Sequence, residues 1–161
     1  MMESKGFTLI ELVIGILLVA ILSVTAIPKF LSMQKDARIA VLYQAKGAIA
    51  TANQQLYAKA IIQSQDKIDS TRLNIDLDHD GIKDVAGYFG LIKYVNPARE
   101  LAGLDPRLNI RKGNINNPDA PYFWIGFTDR PSSTQHQCYV AIYYPPAAGG
   151  EVRYKMFSDD C

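Results

Sequence analysis

A short acidic segment in the middle of the chain carries the residues best suited to bind a metal ion. Its carboxylates stand at the first, third, fifth and ninth positions and belong to Asp76, Asp78, Asp80 and Asp84. Alternate carboxylates can converge on one point, Gly81 permits the sharp turn, and the carbonyl of Ile82 would add another oxygen. Hard oxygen ligands favour calcium over a transition metal. The pattern therefore predicts a calcium loop.

The match to a calcium loop is partial. An EF-hand needs a bidentate glutamate at position twelve, where this chain has Gly87, and no long helix obviously flanks the segment. The segment is more similar to the short acidic loops of dockerins and thrombospondin repeats. The alternative is a solvated, aspartate-rich turn that holds no metal. His79 falls between the ligand positions and is expected to be exposed rather than coordinating.

Residues that could carry out catalysis are scarce. His79 and His136 are the two imidazoles of the chain, and neither accompanies a nucleophile or a glycine-rich phosphate loop. Two cysteines and two histidines are too few for a Cys/His zinc site of the usual kind. The sequence therefore predicts that the protein is not an enzyme.

The charge balance argues against a partner held by a broad electrostatic field. Lys and Arg number 17 against 16 Asp and Glu, so the formal net charge is +1. No nucleic-acid partner is expected on that basis, although the charge balance does not exclude a small basic patch near Arg107, Arg111 and Lys112. With 161 residues and 48% hydrophobic content, the chain is expected to form one packed domain.

The elements that position these residues begin with a long apolar run. Residues Phe7 to Ile27 contain a single charge, Glu11. A helix of these 21 residues would be about 30 Å long, close to the thickness of a bilayer's hydrocarbon core. A carboxylate in the middle of such a helix costs roughly 2.5–3.5 kcal/mol, and its position nearer one end softens that cost. Glu11 is therefore expected to need a partner.

The start of this run resembles a known processing motif. The residues Gly6-Phe7-Thr8-Leu9-Ile10-Glu11 resemble the prepilin motif of type IV pilins and of type II secretion pseudopilins. The resemblance implies that a prepilin peptidase cuts between Gly6 and Phe7, removes the leader at residues 1–6, and N-methylates Phe7. It also implies that Glu11 is needed for assembly into a filament.

Simple electrostatics agrees with this implication. Cleavage creates a positive amine on Phe7, and in a bundle of parallel helices Glu11 of one subunit can face that amine on a neighbour. Such a pair would set the axial register between subunits more than it would add net stability. The implied partners are copies of the same chain, the peptidase/methylase, the inner-membrane assembly machinery and minor pilins, with the membrane itself before assembly.

A secretory signal peptide is the rival interpretation of the same residues. Lys5 would supply its positive end, Leu12 to Leu22 its apolar centre, and Val24-Thr25-Ala26 its cleavage site. Glu11 fits this interpretation badly. Under it, the mature chain would begin at Ile27 and would be a secreted, calcium-dependent binding domain.

The helix is expected to continue past the apolar run, to about Gln63. Pro28 cannot donate a hydrogen bond to the carbonyl of Val24, so a kink or loosening is expected there. Beyond it the helix becomes amphipathic, with a stripe at steps of three and four formed by Phe30, Met33, Ala37, Val41, Ala45, Ala48, Ala52 and Leu56. This stripe is expected to pack on a sheet.

The pattern of the last forty residues predicts a β-sheet. The segments Tyr122 to Phe127, Cys138 to Tyr144 and Glu151 to Phe157 are rich in aromatic and β-branched residues, and their short connections favour antiparallel pairing. The predicted segments are a leader at 1–6, a membrane and assembly helix at 7–27, an amphipathic helix at 28–63, a connecting region at 64–120 and a sheet at 121–161. The predicted fold class is α+β, a long helix on a roughly four-stranded antiparallel sheet.

The two cysteines add to the resemblance. A carboxyl-terminal region bounded by a disulfide is usual in type IVa pilins, which implies a bond between Cys138 and Cys161. Such a bond would stabilise the fold by roughly 3 kcal/mol. Residues 29–38, the acidic loop and the terminal cysteine are similar to pilins of the mannose-sensitive haemagglutinin type. The expected function is a pilus subunit, first in the bacterial inner membrane and then in a surface filament for adhesion or motility; a minor pilin or a pseudopilin is the alternative.

Overall fold

The structure, a computed structural model, describes residues 6–113, 120–129 and 136–161. Its elements in chain order are α1 (Leu9–Ile62), β1 (Gly87–Tyr88), β2 (Leu91–Ile92), α2 (Val95–Leu101), β3 (Leu108–Lys112), β4 (Phe123–Phe127), β5 (Tyr139–Tyr143) and β6 (Arg153–Phe157). The long helix and the four-stranded antiparallel sheet confirm the predicted α+β class. The predicted leader at 1–6 lies outside the described residues except for Gly6.

The chain divides into two compact units, residues 1–38 and residues 39–161. The first unit holds the amino-terminal part of α1, and the apolar side chains of this part are exposed. Pro28 lies inside α1, and the helix continues through it, although this residue offers no N–H to the carbonyl of Val24. A loosening of the helix at Pro28 in an assembly remains a prediction.

The second unit has its core between the carboxyl-terminal part of α1 and one face of the sheet. The buried side chains of α1 recur at steps of three and four and are Leu42, Ala45, Ile49, Ala52, Asn53, Leu56 and Ala60. All of them except Asn53 join a hydrophobic cluster with Phe123, Ile125, Val140 and Ile142 of the sheet, which are fully buried. Burial of this apolar surface is the main force that holds the unit together.

The buried face of α1 differs from the predicted stripe at five positions. Phe30, Met33 and Ala37 are exposed, because the buried side chains of α1 begin only at Leu42. The other two are Val41 and Ala48. Val41 was assigned to the stripe but is 37% exposed, whereas its neighbour Leu42 is fully buried. Ala48 is half-buried, and Ile49 beside it is fully buried. The physical reason is size, because a leucine and an isoleucine bury more apolar area than a valine and an alanine, so the helix turns those larger side chains toward the sheet.

The large sheet has the strand order β3-β4-β5-β6, with every pair antiparallel. Its first strand comes from inside the connecting region predicted at 64–120, where Leu108 and Ile110 alternate with polar residues and face the core. The central strands each supply an inward row, as the period of two along a strand requires. Tyr154 and Met156 of β6 pack against the same core. Three of the strands match the predicted carboxyl-terminal segments within two residues at each end.

A tight hairpin joins β1 to β2. Its loop has two residues, Phe89 and Gly90, with φ angles of 49° and 78°, and a turn with positive φ at both positions suits the twist of paired strands. A side chain at Gly90 would place its Cβ 2.8 Å from the ring of Tyr57 on α1. Glycine therefore lets this hairpin pack closely against the helix.

Candidate functional site

The amino-terminal end of α1 is organised by a reciprocal pair of residues. The carboxylate oxygen Oε2 of Glu11 accepts hydrogen bonds from the backbone N–H of Thr8 at 3.0 Å and from its hydroxyl at 2.9 Å. The Thr8 hydroxyl oxygen in turn accepts one from the N–H of Glu11 at 3.3 Å. This is a capping box, which satisfies backbone donors that the first turn of a helix leaves without partners.

The capping role of Thr8 was missed at the level of sequence. The signal was present, since a threonine followed three residues later by a glutamate is the signature of a capping box. The structure thus gives Glu11 a local role at the helix start besides the assembly role that the prepilin resemblance implies.

The residues after this cap form an exposed apolar surface. Phe7, at the predicted cleavage site, is 82% exposed, and the large apolar side chains from Leu9 to Met33 are each at least 40% exposed. Helix α1 contains a stretch that is long and apolar enough to cross a membrane, judged by length and composition. Soluble proteins rarely expose a continuous apolar surface of this extent, so this part of the helix needs lipid or other protein around it.

The acidic loop brings together three of the four carboxylates predicted as calcium ligands. One carboxylate oxygen from each of Asp76, Asp78 and Asp84 lies within 4.8 Å of the other two. Asp76 is buried, and the other two are exposed. Asp80 stands outside this group, and its Oδ1 accepts the N–H of Ile82 at 2.7 Å.

Backbone N–H groups already hold this loop together. Asp76 accepts from His79 at 2.6 Å through Oδ1 and from Gly81 at 3.0 Å through Oδ2, while Asp84 accepts from Leu77 at 2.7 Å. Desolvation raises the pKa of Asp76, but the two N–H donors and the nearby Lys83 outweigh it, so the pKa lies below its usual value. These bonds hold the carboxylates near one another.

A glutamine just beyond the end of α1 anchors this loop. The side chain of Gln63 donates to the carbonyl of Asp76 at 2.7 Å and accepts from the N–H of the same residue at 2.9 Å. Lys83 also donates to Gln63 at 3.0 Å. The predicted exposure of His79 agrees with the structure, and its φ of 68° places it in a turn that reverses the chain.

The two cysteines form the disulfide that the sequence resemblance implied. Cys138 and Cys161 are bonded, with their Cα atoms 4.8 Å apart and 23 positions apart in sequence. Cys138 is buried in the core, next to the first residue of β5, so the bond ties the last residue of the chain to the sheet. The expected pairing is confirmed.

A groove of about 460 Å³ lies in the second unit, beside the hairpin of β1 and β2. Its walls include Tyr57, Phe89, Tyr154 and the amide of Asn53, and its one carboxylate is that of Glu151. The Asn53 amide is already engaged in hydrogen bonds within the core. The lining therefore offers no pair of a nucleophile and a base.

Comparison with known proteins gives one match. The family profile described as the prokaryotic N-terminal methylation motif matches residues 1–27 of the chain. No curated protein and no solved structure matches the chain. The match covers the predicted cleavage site, the capping box and the apolar run.

Proposed function

We propose that this chain is the structural subunit of a type IV pilus. In this proposal it is inserted in the bacterial inner membrane, cut between Gly6 and Phe7, N-methylated on Phe7, and polymerised into a surface filament. The methylation motif at residues 1–27 and the apolar amino-terminal helix fit a type IV pilin-like subunit, anchored in the membrane before assembly. The motif also implies processing by a prepilin peptidase, and it indicates a structural role rather than an enzymatic one.

The observation that carries the proposal is the exposed apolar surface directly behind the motif. Leucine, isoleucine and valine side chains from Leu9 to Val24 are each exposed to at least 40%. Lipid can cover this surface before assembly, and helices of other subunits can cover it afterwards. Burial of this one surface between subunits would then drive polymerisation. Adhesion, attachment or motility would then follow from the polymer and not from a pocket.

The bonding of Glu11 is compatible with a role between subunits. Both hydrogen bonds from Thr8 end on Oε2, and among the described residues no donor reaches Oε1. Oε1 can therefore accept a hydrogen bond from the amine that cleavage creates on Phe7 of a neighbouring subunit. A pair of this kind would relieve the cost of a carboxylate near the membrane and fix the offset between helices.

The calcium loop is a second part of the proposal. The oxygens of Asp76, Asp78 and Asp84 converge, and hard oxygen donors of this kind suit Ca²⁺. We propose these three residues as ligands; Asp80 and the carbonyl of Ile82, predicted from the sequence, are secondary candidates. A bound ion would offset the repulsion among the three carboxylates and hold the loop at the end of α1 more firmly.

The alternatives share the motif and differ in what is found outside the cell. A minor pilin or a type II secretion pseudopilin would carry the same motif and the same apolar helix. The disulfide favours a pilin of the type IVa kind, and the acidic loop and terminal cysteine favour the mannose-sensitive haemagglutinin type among these. A major subunit would dominate filaments sheared from the cell surface, whereas a minor one would be a trace component.

Sequencing of the amino terminus of sheared surface fibres tests the proposal. The expected result is a chain that begins with N-methylated Phe7 and is the main protein of the fibres. A mature chain that begins at Ile27 and is recovered as a soluble monomer would instead support the secretory signal peptide. That result would overturn the filament subunit.

A further inference from the structure

The groove beside the hairpin of β1 and β2 has walls that come from three distant parts of the sequence. Helix α1 supplies Tyr57, and the turn of the hairpin supplies Phe89. The end of the chain supplies Glu151, just before β6, and Tyr154 within that strand. The groove volume of about 460 Å³ lies within the range of small-molecule sites, roughly 300–1,000 Å³. The groove can therefore hold a small ligand.

Three aromatic side chains line this groove, and no cation of the protein lies over them. Tyr57, Phe89 and Tyr154 are each half-buried. Elsewhere in the second unit, lysine and arginine lie over aromatic rings, as Arg153 does over Tyr143 at 5.3 Å. In the part of the chain that the structure describes, none of the three groove rings has such a partner. Aromatic rings of this kind attract weakly hydrated cations.

The charge of the groove is negative. Among the described residues of the lining, Glu151 is the one charged side chain, and it is exposed. Its carboxylate forms no ion pair with any described residue. One carboxylate beside three rings favours a ligand that is positively charged and partly apolar.

Phe89 has a backbone conformation that aromatic residues rarely adopt. Its φ is 49°, at a turn position where asparagine, aspartate or glycine is preferred because these residues tolerate positive φ. Its ring packs on buried Tyr88, with 4.6 Å between the centroids, and stays half-exposed at the groove. Strained conformations are concentrated at binding sites, so the placement of this ring indicates a ligand at the groove.

We propose that the groove binds a small organic cation with a trimethylammonium group, such as choline. In this arrangement the methyl groups lie among the three rings, and the positive charge lies near the carboxylate of Glu151. A trimethylammonium group has no N–H to donate, so rings and one carboxylate are sufficient to recognise it. A primary ammonium would lose hydrogen bonds to water that rings do not replace. The inference goes beyond the proposed function, which gives the groove no role.

Choline and a neutral molecule of the same shape test the role of charge. In the neutral alcohol a tert-butyl group replaces the trimethylammonium group. Calorimetric titration of the full chain in a maltoside detergent, corrected by blank titrations into micelles, should show choline binding roughly tenfold more tightly than the alcohol. Phosphocholine distinguishes a lipid or glycan headgroup from free choline, and preference for either supports the proposal.

Two variants separate the charge from the rings. Glu151→Gln keeps the size of the side chain and should weaken choline binding roughly fivefold, without affecting the neutral alcohol. The matched control Glu100→Gln removes an exposed carboxylate of α2, where the charge is screened, and should stay within about twofold of the parent. Phe89→Asn removes one ring and keeps a residue that suits positive φ, so the hairpin is retained while choline binds roughly fivefold more weakly.

Three results would overturn the proposal. The first is binding of the neutral alcohol as tight as that of choline, which would make the groove simply apolar. The second is unchanged choline affinity in either Glu151→Gln or Phe89→Asn. If the latter variant loses its thermal transition, Tyr57→Leu takes its place with the same expectation. The third is equally tight binding of an acetylated lysine amide, since the groove would then suit a basic side chain of another subunit. The titration uses the subunit alone, so failure of the filament proposal would not affect its outcome.

Discussion

The side chain of Asn53 on helix α1 accepts a hydrogen bond from the backbone N–H of Ile92 in β2, with 3.1 Å between the Oδ1 and N atoms. The same oxygen accepts the hydroxyl of Tyr144 at 3.0 Å, and the amide nitrogen donates to the hydroxyl of Tyr154 at 3.4 Å. Asn53 is 2% exposed. One polar residue thus ties the helix, the small hairpin and the large sheet together inside the core.

Loss of the Asn53 amide should lower the stability of the fold. Replacement of Asn53 by Ala leaves the N–H of Ile92 and the hydroxyl of Tyr144 buried without an acceptor, and we expect a loss of about 3 kcal/mol in the free energy of unfolding. Denaturant titration of the full chain in detergent, followed through Trp124, measures it. Tyr144→Phe removes one donor and keeps the bond to Ile92, so it should cost about 1 kcal/mol. Equal losses in the two variants would show that Asn53 does not connect these elements.

Removal of the disulfide should destabilise the second unit. Serine at both Cys138 and Cys161 opens a loop that spans 23 positions, and the chain-entropy model then predicts a loss of roughly 3 kcal/mol. Denaturant unfolding of the double variant checks this value. The parent chain under reducing conditions is the control and should match the variant, and a stability equal to that of the oxidised parent would contradict the prediction.

The acidic loop should respond to pH through Asp76. Its pKa in the folded chain lies below the usual value of 3.8, so its contribution to stability is present above that value and is lost as the pH falls through the folded pKa. Asp76→Asn removes one acceptor, because an amide nitrogen cannot accept the N–H bond that one carboxylate oxygen accepts now. The melting temperature of the variant should lie below that of the parent at pH 7. The gap should close in acid, and a gap that is independent of pH would contradict the assignment.

Calcium should raise the melting temperature if the three converging carboxylates bind it. We expect an increase over a chelator control, because an ion that binds the folded state alone stabilises it. Asp78→Asn should abolish this increase. Glu100→Gln is the control, since Glu100 is an exposed carboxylate of α2 outside the loop, and it should leave the increase intact. No increase in the parent would remove calcium from the proposed function.

Glu11 should be required for filament assembly and not for membrane insertion. Glu11→Gln keeps the size of the side chain and removes its charge, so the pair with the amine of a neighbouring Phe7 is lost. Surface filaments should disappear, while the chain remains in the inner membrane and is still cut. Shearing, membrane fractionation and amino-terminal sequencing measure these three properties. Normal filaments in the variant would exclude the proposed pairing.

Hydrophobic periodicity was sufficient to predict the long helix and the aromatic strands. The helix ends at Ile62, one residue before the predicted end. An apolar run followed by an amphipathic pattern marks almost its whole length. The exact buried face was harder to predict, since Val41 and Leu42 are both apolar and the sheet that chooses between them is distant in sequence. The strand Leu108–Lys112 was hidden for a related reason, because five residues within a polar region carry little signal.

The acidic loop shows where a linear pattern stops being informative. Spacing alone treats Asp80 like the three other carboxylates, but positive φ angles at His79 and Gly81 turn the backbone there, and the Oδ1 of Asp80 accepts the N–H of Ile82. Neighbourhood across the sheet was hidden for another reason, because only the register of the four strands places Arg111 of β3 in the same row as Lys155 of β6.

The stacked rings of Tyr88, Tyr122 and Tyr144 have a practical consequence. Their centroids are 4.5 to 6.1 Å apart, and their planes are within 18° of parallel. The far-ultraviolet circular dichroism of the chain is dominated by the 54 residues of α1. Unfolding of the two sheets would therefore change that signal very little. The near-ultraviolet circular dichroism of these three tyrosines depends on fixed tertiary packing, so it would report the unfolding of the second unit directly.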